Sequence, residues 1–212
     1  MNMTELRDAW FPPPGTATPP YAAKHRIADE VRGIIERLVG IDVEAVAPAE
    51  LATIESLAGD LRRRLDALPD KRGTGSLAMS PLPDGALVER SPVSGRGNPL
   101  APPLTYSFDG ETTHAWTVFS AAYEGPPGGV HGGCVAAAFD EILGVAQIAG
   151  NAAGFTGTLT VRYHALTPVG RRVDYEAGLG ARDGRKMTVW ARSTADGELV
   201  ADAEGLFIAK IG

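Results

Sequence analysis

Residues 128–144 read GGVHGGCVAAAFDEILG, a run of glycine, alanine and apolar residues that carries an acid, Asp140, in its middle. On a helix beginning near His131, the residues Val135, Phe139, Ile142, Ala146 and Ala149 fall on one side and make a broad apolar face. The other side holds Gly133, Ala136, Ala137, Asp140, Gly144 and Gln147. That strip is nearly bare, so another chain or a ligand can approach the backbone closely. Asp140 belongs to it.

At the start of such a helix the first N–H groups lack intrahelical acceptors and carry the positive end of the macrodipole, which suits a developing oxyanion. Gly132 and Gly133 allow close approach there; the plainer reading is a glycine-rich helix entry with His131 as a capping residue. Gly132 and Asp140 are eight residues apart, roughly 12 Å along one helix at about 1.5 Å per residue. One reacting carbonyl cannot touch both. If the two act together, the acid comes from a second copy, which predicts a two-fold homodimer with two shared sites, the bare strip being the helix–helix seam.

Outward from this helix the pattern changes period. Before it, LVERSPV, LTYSF and TTHAWTVFSAAY read as strands; after it come TLTVRYHA, RRVDYEAGL, KMTVWARS and ELVADAEGLFIAKI, the last three linked by Asp-Gly turns in ARDGRK and ADGE. Strands joined by short turns, without repeated helical crossovers, imply an antiparallel sheet. The fold class is therefore α+β, one long helix wrapped by a sheet over residues 86–212. Ahead of it lie an extended proline-rich arm (1–21), two amphipathic helices (22–69) and a Gly/Ser/Pro-rich linker (70–85). The first helix carries Ile27, Val31, Ile34, Ile35, Leu38 and Val39; the second, Leu51, Ile54, Leu57 or Ala58, Leu61, Leu65 and Leu68. They can close into a hairpin, either a lid or dimer-clasping arm or a packing extension.

Composition excludes several classes. A net charge of −6 gives no basic face for a phosphate backbone. The single cysteine, Cys134, forms no internal disulfide and no metal spacing, and the start of the chain carries no leader pattern, so a cytoplasmic address without a membrane span is expected. Cys134 lies near a helix start, where a thiol can become a nucleophile, although small-residue packing is its plainer role. His25, His114 and His164 lack metal-ligand spacing. Trp116 and Trp190 sit in strand patterns and read as packing or pocket walls.

VHGGCVAAAFDEILG, then TGTLTVRYH, then DGRK resemble the hotdog-fold acyl-CoA thioesterases of the PaaI-like superfamily over about residues 86–211. GPPGGVHGG, Thr156 sixteen residues after the acid, and the ending LFIAK resemble the long-chain acyl-CoA thioesterase branch. The resemblance implies that Asp140 is the catalytic carboxylate, as general base or nucleophile, and that Gly132 supplies the oxyanion-hole amide. It further implies that His131 positions the loop and thioester and that Thr156 orients water or the acid. Gly133, Arg162, Asp174, Glu176 and Arg185 would contact substrate; the alternative for the four charged residues is a set of cross-strand ion pairs. Many PaaI-like enzymes carry an asparagine where this chain has Gly125.

The expected activity is hydrolysis of a medium- or long-chain acyl-CoA, or an acyl-carrier thioester, without metal or redox cofactor. A homodimer, with a dimer of dimers as the next assembly, would carry it. A non-catalytic acyl-CoA sensor of the same fold is the alternative, and a hotdog dehydratase a third.

Overall fold

The computed structural model describes residues 11, 15–69, 89–150 and 154–209. The expected linker over 70–85 lies outside them, as does most of the first fourteen residues. Two helices, α1 (Pro19–Val39) and α2 (Pro48–Asp66), precede β1 (Thr105–Asp109) and β2 (Thr112–Val118); α3 (Gly132–Ala149) is followed by β3 (Gly154–Tyr163), β4 (Arg172–Asp183), β5 (Lys186–Ala195) and β6 (Glu198–Ala209). The strands form one antiparallel sheet in the order β1-β2-β4-β5-β6-β3. This is the hotdog architecture.

The apolar face read from the sequence is the one that packs: Val135, Phe139, Ile142, Ala146 and Ala149 are all buried. The first four of these meet Val173, Tyr175, Ala177, Val189, Ala191, Ala203 and Phe207 from the sheet. Phe139 stands edge-on to Tyr175, with ring centroids 5.6 Å apart. α3 is long and apolar enough to cross a membrane by length and composition. Here the sheet covers its apolar side. Gln147, expected on the bare strip, is instead buried, its amide donating to the Gly154 carbonyl at 3.0 Å.

The hairpin turns follow their chemistry. Asp196 and Gly197 both have positive φ in the two-residue loop between Ala195 and Glu198, and Gly184 does so between Asp183 and Lys186. Two strand expectations fail. Residues 89–93 of LVERSPV form turns, because Glu89 is drawn inward as a buried acceptor for Lys24 at 3.1 Å and His25 at 2.8 Å. β2 stops at Val118, after which the Ser120 hydroxyl caps a short 3₁₀ turn, Ala121–Tyr123.

The proline-rich arm also ends earlier than expected. Pro19 and Pro20 open α1 rather than preceding it, since proline has its φ preset and the missing N–H is an orphan in a first turn. Arg32 ties α1 to the loop before β1, its guanidinium donating to the carbonyls of Gly95, Arg96, Asn98 and Ala101 at 2.7–3.1 Å. The two N-terminal helices do not zip together as a hairpin, because Ile27, Ile34 and Leu38 of α1 and Ile54, Leu57, Leu61 and Leu65 of α2 all stay exposed.

Between α3 and the sheet, the hydroxyls of Tyr106 and Tyr175 are buried. Burial raises the Tyr106 phenol well above its ordinary value, helped by Glu141, and burial raises Tyr175 as well. Both favour the neutral form in the folded state, so their contribution is complete below the unfolded phenol pKa of about 10 and is lost as pH climbs from there toward the folded values. Unfolding by circular dichroism should therefore begin above about pH 10. The phenolate absorbance of these two residues should appear only with that unfolding.

Candidate active site

His131 caps α3: its Nδ1 accepts the Gly133 N–H at 3.0 Å, which leaves the proton of a neutral ring on Nε2. The carbonyl of His131 accepts from Cys134 and Val135. Of the first four helical N–H groups, three are thus committed and the Gly132 N–H is left over. This is the donor the sequence picked out, with the reason now visible. Gly133, by contrast, has spent its N–H on the cap and offers a ligand only its missing side chain.

Eight residues on, Asp140 is exposed on the same side of α3 and accepts from the Thr156 hydroxyl at 3.1 Å. Thr156 reaches it because β3 carries a bulge between Thr156 and Thr158, which turns this residue toward the helix. At the other end of β3, the Tyr163 hydroxyl donates to the Gly132 carbonyl at 2.9 Å. Strand alternation sets Tyr163 on the same side as Leu159 and Val161, and nothing in the pattern gives it a role. It is 53% exposed and ties the N-terminus of α3 to the strand, holding the free N–H in place.

β3 therefore grips the helix at both functional points, Thr156 at the acid and Tyr163 at the amide. It is also an edge strand, paired only to β6 among the described residues. Along the bare strip, a Cβ added at Gly144 would meet nothing within 4 Å, and one at Gly132 only the Tyr163 ring at 3.6 Å. The space beside Asp140 is open.

The 31% identity of this chain to a crystal structure described as a thioesterase superfamily protein extends over 92% of this chain and 97% of that one, with a TM-score of 0.71. The chain belongs to the thioesterase superfamily. It is also 36% identical over 87 residues to the acyl-coenzyme A thioesterase THEM4 of Xenopus laevis, a match that spans 40% of this chain and 39% of that relative's length. No family profile matches.

For a thioesterase of this superfamily, the glycine at 125 has a steric cause. Its N–H donates to the Gly129 carbonyl, and a Cβ there would lie 2.8 Å from the His131 Cα. The loop passes too close for an asparagine. Gly125→Ala should push the capping histidine aside and cost about 1–3 kcal/mol. Thermal unfolding of the purified variant measures it.

The charged residues expected at substrate are not gathered around Asp140. His114, Glu176, Arg192, Asp202 and Arg162 are successive cross-strand neighbours on β2, β4, β5, β6 and β3, facing away from α3. Glu176 accepts from Arg192 at 2.6 Å and Asp174 from Arg172 at 2.6 Å, so these two acids are held in ion pairs on the outer face. Arg172 also covers the Trp116 ring, 4.7 Å from its centroid. Arg162 donates to Asp202 at 2.9 Å, and His164 shares the same carboxylate. The His164 hydrogen bond above all, joined by Arg162, holds the Asp202 carboxyl below its ordinary range against the opposing effect of burial. Arg185 lies in the β4–β5 turn, donating to the Ala209 carbonyl at 3.0 Å, at the Thr156 end of β3.

Cys134 is not activated. Partial burial raises its pKa, which opposes the effect of the helix N-terminus and leaves it as a packing residue against the core. Among the described residues no cluster of three or more His, Cys, Asp or Glu side chains has the arrangement to hold a metal ion.

Proposed function

We propose that the protein hydrolyses a medium- or long-chain acyl-CoA thioester at sites shared by two copies. The observation that carries this is the pairing of roles on β3: one end holds the acid, the other the helix whose Gly132 N–H is free. An edge strand can pair with itself antiparallel across a two-fold axis. A pairing centred between Thr156 and Tyr163 sets the Thr156–Asp140 end of one copy beside the Tyr163–Gly132 end of the other. The roughly 12 Å that separates amide from acid along one helix is thereby bypassed.

Water attacks the thioester carbonyl while Asp140 takes its proton, a C–O bond forms, and the oxygen of the tetrahedral intermediate is held by the Gly132 N–H. Collapse breaks the C–S bond, and the thiolate receives the proton back from Asp140. Thr156 occupies Oδ1 and leaves Oδ2 to the water. His131 Nε2–H offers a second donor at the helix mouth. The same two-fold brings Arg185 of one copy toward Arg162 of the other, two guanidinium groups suited to the phosphates of CoA.

Thiol release from acyl-CoA substrates of increasing chain length tests this reading. Turnover that rises toward medium or long chains supports it, whereas binding without thiol release would leave a sensor. Thr156→Val, which keeps the shape and removes the hydroxyl, should lower turnover about tenfold. Substrate affinity should change little.

A further inference from the structure

We infer that α2 is a self-association helix, paired antiparallel with the α2 of a second copy. None of its residues is buried in this chain. A 19-residue helix that buries none of its side chains is marginal in water, so its apolar side needs a cover. Within α2, Leu51, Ile54, Ala58, Leu61 and Leu65 recur at alternating spacings of three and four, the heptad seam of a coiled coil, and Leu68 follows just past the helix end at Asp66. Leu65 is 43% exposed and Leu68 59%. The chain's own α1 does not cover them, since its Ile34 and Leu38 are also exposed.

The flanking charges select the occupant and its direction. With the seam fixed, Glu55 and Arg62 hold equivalent flanking positions in successive heptads. In an antiparallel pair centred between Gly59 and Asp60, Ile54 meets Leu65 and Ala58 meets Leu61 of the other copy. The same register sets Glu55 against Arg62 twice, once on each side of the axis. A parallel pair would instead set Glu50 beside Glu55, a like-charge contact. An anionic membrane is the poorer occupant: Glu50, Glu55, Asp60 and Asp66 against Arg62, Arg63 and Arg64 leave α2 at −4 + 3 = −1.

Sedimentation of the full chain across a concentration series tests the pairing. Leu61→Glu should raise the dissociation constant of one association step about a hundredfold. Glu55→Arg and Arg62→Glu, singly, should each weaken it on the order of tenfold. The double variant should recover, because the exchanged charges would again meet with opposite signs on both sides of the axis.

An unchanged mass for Leu61→Glu, a double variant no better than the singles, or a wild-type chain that stays single at all concentrations would overturn the inference. So would binding of anionic vesicles that Leu61→Glu removes without altering the association. None of these variants touches Asp140, Gly132 or β3. Association lost with thiol release intact would therefore speak to α2 alone, and thiol release absent from the wild type to the proposed hydrolysis alone.

Discussion

Asp140→Ala should reduce thiol release by at least about a thousandfold while leaving the unfolding temperature unchanged or slightly raised. The side chain is exposed and bonds to the Thr156 hydroxyl, so its loss strands no buried group. Asp140→Asn sharpens the result, because the amide keeps the size and the bond to Thr156 but cannot take a proton from water. Equal losses in the two variants show that the carboxylate itself, rather than its size or its bond to Thr156, is what the reaction needs. Substantial turnover in either would remove Asp140 from the reaction and with it the proposed mechanism.

The second large effect concerns an amide that can be deleted without disturbing the helix it opens. Gly132 is the first residue of α3, where proline is favoured, and His131 already has the extended backbone, φ −58 and ψ 131, that a following proline requires. A Cβ at this position makes only ordinary contact with the Tyr163 ring. Gly132→Pro therefore removes one N–H and little else. Turnover should fall by about 100- to 1,000-fold.

Mixing the two defective proteins then tests the shared centre. In a hybrid pair, the copy carrying Gly132→Pro still donates its aspartate to the intact glycine of its mate. Random exchange of subunits would make about half the pairs hybrid, each with one working site of two, and return about a quarter of wild-type activity. A centre built within one chain would return none.

The helix and sheet were legible because their signals are periodic. Val135, Phe139 and Ile142 mark a face at any scale of inspection, and Asp-Gly pairs announce hairpins by their backbone needs. Asp140 stood out through the bareness of its strip, Gly132 through its place at the helix start, and Thr156 through the family resemblance. Tyr163 did not, because strand alternation says which side a residue faces and is silent on whether the edge beyond it is covered.

The same limit applies to the arm. Amphipathic periodicity gave both helices, yet it states that a face exists without naming its cover, and the hairpin expected from it did not close. Asp174 and Glu176 show a related limit. Strand alternation puts them on one face, but it does not say which cations pair with them there, Arg172 and Arg192. Proline's dual behaviour accounts for the arm's boundary: Pro19 and Pro20 look like breakers in isolation and serve as helix openers in place.

Counting inward positions back along β3 from Tyr163, Val161 and Leu159 in steps of two would reach Gly157 and Phe155, and point the Thr156 hydroxyl into solvent on the wrong side. The supernumerary backbone unit near Gly157 reverses that parity for a single stretch, leaving Arg162 and Phe155 outward at once. The chemistry of this strand is thus aimed by chain length rather than by side-chain identity. Shortening it by one residue would disarm the threonine while every letter of its neighbours stayed the same.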